Sequence, residues 1–265
     1  MAGDDRAECK GEPDEFYSKS PGKRALIVLN GPVVNFVLAY VSLVFVFMLG
    51  YPDLSSKIGT LIEGYPGAIA GLRVGDQVTR VNDQEIENWT DLQKNISQSK
   101  TEQIQLTFLR EGQEMTKNVF ARVDRLKNIF GQVKEVRVVG IRPSEEIVTL
   151  KYNFGTSLLK AAGKLTEITT LTYKSLYFML TGAMPAKESM TGPIGIFFII
   201  KSAAEMGFTH LLFIMGVISA SLAIFNLLPV IPLDGGHLFF LGIEKLRGIS
   251  LSAKADEYIA RSGFG

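Results

Sequence analysis

Asn226-Leu227-Leu228-Pro229-Val230-Ile231-Pro232-Leu233-Asp234-Gly235-Gly236-His237 sets a carboxylate and a glycine pair at the end of a long apolar segment. Upstream, Leu211 to Phe225 reads LLFIMGVISASLAIF, without one ionisable side chain. Counted on to Ile231, the run holds about 21 residues, enough to cross a hydrocarbon core of roughly 30 Å. An acid at that depth is a functional candidate by default, because a bare carboxylate is costly to desolvate and needs a metal ion, a cation or a proton as partner. A metal is the sharpest of these expectations.

A second apolar segment, Val33 to Tyr51, reads VVNFVLAYVSLVFVFMLGY, with Asn35 as its most polar member. At about 19 residues it passes the same length test. It starts too late for a secretory signal and leads into Tyr51-Pro52-Asp53 rather than a small-residue cleavage site, so it reads as retained. Lys19, Lys23 and Arg24 precede it, and Lys245 and Arg247 follow the later span. The positive-inside tendency then puts both of those ends in the cytoplasm and the region between the spans outside. Composition fits a chain partly in lipid and partly in water: 265 residues, 46% hydrophobic, 21% charged, net charge +1. Nothing in that balance calls for nucleic acid. Cys9 is the single cysteine, which excludes an internal disulfide and a multi-cysteine metal site.

Residues 57–123 alternate short apolar runs with turn signals, as in Ile104-Gln105-Leu106-Thr107-Phe108-Leu109 before Arg110-Glu111-Gly112. Helical spacing is expected over Ala68–Leu72 and Trp89–Ser97, with Thr90 as a cap for the second. Within this module, Pro66-Gly67-Ala68-Ile69-Ala70-Gly71-Leu72-Arg73-Val74-Gly75-Asp76-Gln77-Val78-Thr79-Arg80-Val81-Asn82 resembles the signature of PDZ domains of bacterial membrane and periplasmic proteases. Its glycines allow tight backbone paths, and Asp76 can hydrogen-bond in the turn. The resemblance implies either a peptide bound by strand addition to a sheet edge or a folded spacer that filters substrates by size. Residues 124–153 read as a linker and strand region. Phe154 to Met184 has amphipathic spacing, suited to the membrane surface or to packing against other helices. The apolar run Met190 to Ile200 is too short to span, so an interfacial or re-entrant segment is expected.

Taken in order, Gly31-Pro32-Val33-Val34-Asn35, one outward PDZ-like module, Gly192-Pro193-Ile194-Gly195, Asn226-Leu227-Leu228-Pro229 and Leu233-Asp234-Gly235-Gly236 resemble the site-2 protease family of intramembrane zinc metalloproteases, in its bacterial RseP-type branch. The resemblance implies an α-helical integral membrane protein with one inserted α+β PDZ domain. It implies a cytoplasmic segment 1–30, a transmembrane helix 31–51, the PDZ domain 57–123, membrane-proximal helices 154–208 and a transmembrane helix 209–231. An Asp-containing motif and a cytoplasmic C-terminal segment would fill 232–265. It further implies regulated intramembrane proteolysis of membrane-anchored substrates such as anti-sigma factors or remnant signal peptides. Asp234 would be a ligand to Zn2+, and Asn226 and Pro229 would lie beside the substrate strand. The expected location is the bacterial inner (cytoplasmic) membrane, multi-pass, with the PDZ domain on the periplasmic side. Partners would be substrate transmembrane helices, a peptide at the PDZ domain, and membrane lipid.

The chain departs from that pattern in one place. The family takes two zinc ligands and its general base from H-E-x-x-H on an earlier helix, and no such motif occurs here. The only histidines are His210 and His237. His210 falls at the far end of the last span from Asp234, and His237 fits a packing or hydrogen-bonding role. The expectation is therefore a fragment without its first and last transmembrane helices, inactive alone. The alternative is a non-catalytic membrane adaptor that keeps the PDZ module to bind membrane proteins. An in-frame H-E-x-x-H in the DNA upstream of Met1 separates the two.

Overall fold

The computed structural model describes residues 12, 15, 16, 18–128, 130–183, 192–230 and 233–247. They fall into two units, one drawn from Met1–Phe45, Gly155–Leu176 and Pro193–Gly265, the other from Val46–Phe154 and Tyr177–Gly192.

The first unit is helical. Helix α1, Pro21–Leu49, starts ahead of the apolar run, on a proline suited to a first helical turn, and continues into the second unit, as does a later amphipathic helix over Phe154–Leu180. Two more helices meet at Gly207: one over Pro193–Met206 and one over Phe208–Asn226. The shorter, with 14 residues, is about 21 Å long and falls short of a hydrocarbon core; it runs on through Lys201, where the apolar run of the sequence stops. A last helix covers Asp234–Arg247. Pro21–Leu49 and Phe208–Asn226 are the two described helices long and apolar enough to cross a membrane. The first packs on the second through small residues. A side-chain carbon at Gly216 would sit 3.4 Å from the Ala39 carbonyl oxygen and 3.4 Å from Ser42 Cβ. Ser219, Ala220 and Ala223 are also buried on that helix. Small side chains at this spacing let helix backbones approach closely where water supplies no driving force. Tyr40 donates to the Leu158 carbonyl at 3.2 Å and ties α1 to the amphipathic helix.

The second unit carries small antiparallel sheets. Strand β1, Tyr51–Leu54, pairs with the last strand, Ile147–Leu150, to close a two-stranded stem. Strand β2, Ile58–Leu61, pairs with Ile141–Pro143. Strands β3 (Gln77–Val81), β4 (Gln84–Glu85), β5 (Gln103–Arg110) and β6 (Gln113–Phe120) form a sheet ordered β4-β3-β5-β6. Strands β7 (Arg122–Lys127) and β8 (Val133–Val138) form a hairpin, so that the strands over Ile141–Pro143 and Ile147–Leu150 are β9 and β10. Two helices, α2 (Pro66–Ile69) and α3 (Trp89–Ser97), complete the module; the long helices above are then α4 (Phe154–Leu180), α5 (Pro193–Met206), α6 (Phe208–Asn226) and α7 (Asp234–Arg247).

The alternation read in β5 is realised: Ile104, Leu106 and Phe108 are fully buried against Val78, Val81, Leu92, Ile96 and Val119. Asp76 accepts from the Arg73 amide at 2.8 Å, the turn bond expected of it, and also takes both Nε and Nη2 of Arg110 at 2.8 Å. The cap of α3 differs from expectation. Asn88, not Thr90, accepts the Asp91 amide, at 2.7 Å, because the residue with extended backbone just before the first turn is the one whose side chain can turn back. The core also takes in Val139, and β9 supplies β2 with its partner, so residues beyond 123 contribute to the same packing. Gly140 permits this crossing. It has φ +75°, and a side-chain carbon there would lie 2.1 Å from Tyr65 Cβ. Tyr65 donates to Asp124 at 2.9 Å, with the Arg122 guanidinium 3.8 Å above its ring.

Candidate metal and substrate site

Helix α6 ends at Asn226, three residues ahead of the first proline of the motif. The Leu227 amide still reaches back to Ala223 and Ile224, and the Leu228 amide to Phe225. Pro229 has no N–H to continue the ladder and disfavours helical backbone at Leu228. The Val230 amide therefore closes a tight turn on the Leu228 carbonyl at 2.7 Å. Ile231 and Pro232 lie outside the described residues. The chain re-enters helix at Asp234, where the Leu233 carbonyl accepts the amides of Gly236 and His237. Asn226 is half-buried and Pro229 exposed, so the helical ladder is interrupted after α6 and the Leu233 amide turns back to the Val230 carbonyl at 2.8 Å.

Asp234 occupies the first position of α7. The positive end of a helix favours an anion there, which offsets part of the desolvation cost anticipated for this acid. The side chain is half-buried, and its Oδ2 lies 3.4 Å from where a side-chain carbon of Gly31 would be. The carboxylate thus lies against α1 at Gly31, where even a methyl group would be in ordinary contact with it. Gly235 fixes the other side. A side-chain carbon at that position would lie 2.3 Å from both the Leu227 and Leu228 carbonyl oxygens, so only glycine admits this approach. At the far end of α7, Glu244 Oε1 accepts from Arg24 Nη2 at 2.6 Å, with both side chains buried.

The histidines do not join Asp234 in a cluster. His237 is exposed on the first turn of α7. His210 stands in the first turn of α6, about 24 Å of helix from Asn226, and lines an apolar cavity of about 240 Å³ with Ile199, Ala203, Met206 and Phe213. Among the described residues no three His, Cys, Asp or Glu side chains are placed to share an ion. A mononuclear zinc centre of the hydrolytic kind needs three protein ligands and an open position. One carboxylate at a helix start, beside a glycine of α1, fits a single member of such a set and does not complete it.

Asn226, Pro229 and Asp234 are candidates from sequence because they lie close together along the chain in one motif. Gly31 and the Arg24–Glu244 pair were not singled out as parts of this site. Gly31-Pro32 at the head of an apolar run was visible, but a contact made across some two hundred residues leaves no local signal.

A profile of the family described as Peptidase family M50 matches residues 1–265. The chain is 28% identical over 254 residues to a protein of Bacillus licheniformis named zinc metalloprotease RasP, covering 94% of this chain and 57% of the relative. It is 30% identical over 264 residues to the zinc metalloprotease RasP of Geobacillus kaustophilus, covering 98% of this chain and 60% of the relative. It is 27% identical over 252 residues to the regulator of sigma-W protease RasP of Bacillus subtilis, covering 94% of this chain and 57% of the relative. The chain therefore spans between half and two thirds of the length of these curated relatives.

Proposed function

The chain belongs to peptidase family M50, and on that premise we propose that it is part of a zinc-dependent protease that cuts membrane-anchored proteins within or beside their transmembrane helices. Anti-sigma factors and remnant signal peptides are the substrate classes the reading favours; one relative is named as a regulator of sigma-W. The observation that carries the proposal is the placement of Asp234. It is the first residue of a helix, directly after a broken segment, at the end of a span-length helix and against Gly31. In this reading Asp234 is the one zinc ligand these residues supply, and the imidazole ligands come from polypeptide outside the 265 residues. Zinc in such a setting supplies a polarised carbonyl and a water acidic enough to act as nucleophile near neutral pH.

The residues present would do the holding. Asn226 would donate to an unwound substrate segment, and the backbone freed by Pro229 would pair with it, an arrangement tolerated in lipid only where protein or water lines the site. The strand module of residues 51–150 would act as a PDZ domain on the periplasmic face of the inner membrane, with the basic ends of the two spans in the cytoplasm. Its β9 strand is paired on one side by β2, which leaves an edge for an extended peptide from a membrane protein. Lipid would surround α1 and α6.

A second reading, a non-catalytic membrane adaptor, is favoured by the lack of H-E-x-x-H in the 265 residues. Cleavage of a reporter with a single transmembrane helix, by the full gene product in membranes, separates the two. The protease reading expects cutting that Asp234→Asn reduces by orders of magnitude. Undiminished cutting by Asp234→Asn removes this residue from the site, and reporter binding without any cutting supports the adaptor.

A further inference from the structure

The acid at the start of α7 is held by a contact at that helix's other end. The buried face of α7 consists of Gly235, Gly236, Leu241 and Glu244. Asp234 and Glu244 lie about 15 Å apart along the helix and about 80° apart around it, on one side. On α1, Arg24 and Gly31 are about 10 Å apart on nearly the same face. Asp234 meets Gly31 and Glu244 meets Arg24, so at these contacts α7 runs antiparallel to the start of α1.

The contacts that hold α7 differ in kind. Gly235 under the Leu227 and Leu228 carbonyls fixes where α7 begins, but one close contact at one end leaves the helix free to swing and turn. Apolar burial at Leu241 is non-directional and tolerates such movement. A charged hydrogen bond of 2.6 Å does not. Arg24 is itself oriented by donating Nε to the Lys19 carbonyl at 3.2 Å. A buried ion pair stabilises no more than well-packed apolar residues of the same volume, and fixing one register is its best-attested use.

We infer that the buried Arg24–Glu244 pair is a positioning device for Asp234: it sets the rotation and register of α7 on α1 and so holds the Asp234 carboxylate against Gly31. Arg24 and Glu244 are positioning residues that touch neither substrate nor metal, and their link to zinc rests on the reading of Asp234 as a ligand.

The test uses two readouts on the full gene product in membranes. The first is disulfide formation between Gly31→Cys and Asp234→Cys in a Cys9→Ser background, which reads helix register without any metal. The second is zinc affinity by competition with a chelator. The informative variant is Arg24→Met with Glu244→Leu, which keeps the packing and removes the direction. It is expected to fold, to cross-link several-fold more slowly, and to hold zinc about tenfold more weakly, the lower end of the loss seen when supports of a metal ligand are removed. Arg24→Lys, which keeps the charge and loses the planar fork, should fall between; it serves as the decisive variant if the apolar pair does not fold. Parental cross-linking in the folded variants overturns the positioning device. Zinc affinity unchanged by Asp234→Asn overturns the ligand reading instead, while the cross-link still decides the role of the pair.

Discussion

At Gly235 a single methyl group would collide with two carbonyl oxygens, each 2.3 Å away. Gly235→Ala is therefore expected to push the start of α7 off the end of α6 and carry Asp234 with it; with Asp234 as the proposed ligand, weaker zinc binding by the full gene product measures this. Serine at the same place should do no better, since the obstruction is backbone. A second residue-scale prediction concerns pH. Hydrogen bonds from Arg122 and then Tyr65 hold the Asp124 carboxyl below its ordinary range, and the bond to Asp124 together with burial raises the Tyr65 hydroxyl above its own. A depressed carboxyl contributes stability that is present above its unfolded pKa and lost as pH falls through the folded one. A raised phenol contributes stability that is present below about 10 and lost as pH climbs past it. The strand module should thus loosen at both acid and alkaline extremes, and Asp124→Asn should flatten both limbs when protease resistance is followed against pH.

Helix α3 shows how local chemistry and tertiary context divide the work. Its amphipathic pattern was readable, and Leu92 and Ile96 are buried as that pattern requires. The cap lies two residues before the one expected, because Asn88 and Thr90 are both capping types and only backbone direction tells them apart. Asn88→Ala should cost about 1 kcal/mol of module stability, and Thr90→Ala much less, as denaturant titration would show. Strand β5 was equally legible, since Ile104, Leu106 and Phe108 alternate with polar residues. Phe108→Ala should cost about 3–5 kcal/mol. What the sequence could not disclose were pairings between distant segments: β2 with β9, β1 with β10, and Arg24 with Glu244. Each of these takes a residue of ordinary type and gives it a partner that no spacing rule connects. The same holds for the packing of α1 on α6, where Gly216 faces Ala39, Ser42 and Leu43; Gly216→Leu is expected to force the helices apart and lower the thermal unfolding temperature in detergent.

For the whole molecule, the antiparallel stem of β1 and β10 marks where the strand module can be removed with its terminal pairing kept, at the loss of the Tyr152–Glu87 bond and the Phe130–Phe178 ring contact. Leu54 and Ile147 are register partners, and the Ser55 amide donates to the Glu146 carbonyl at 2.8 Å. Replacing residues 55–146 by a short Asn-Gly turn keeps the stem. A cut at 123 would instead strand β9 and Val139 without their partners. If the proposed protease reading holds, the excised full gene product should retain zinc and change which membrane proteins it cuts, because Asp234, Gly31 and Asn226 all belong to the helical unit. In the proposed function Asp234 is a zinc ligand, and everything else about the site depends on it. The most direct test is zinc stoichiometry of the full gene product purified from membranes, parent beside Asp234→Asn. One zinc per chain in the parent and a loss of about a hundredfold or more in affinity in the variant is the predicted result; equal zinc in both, or none in the parent, would contradict it.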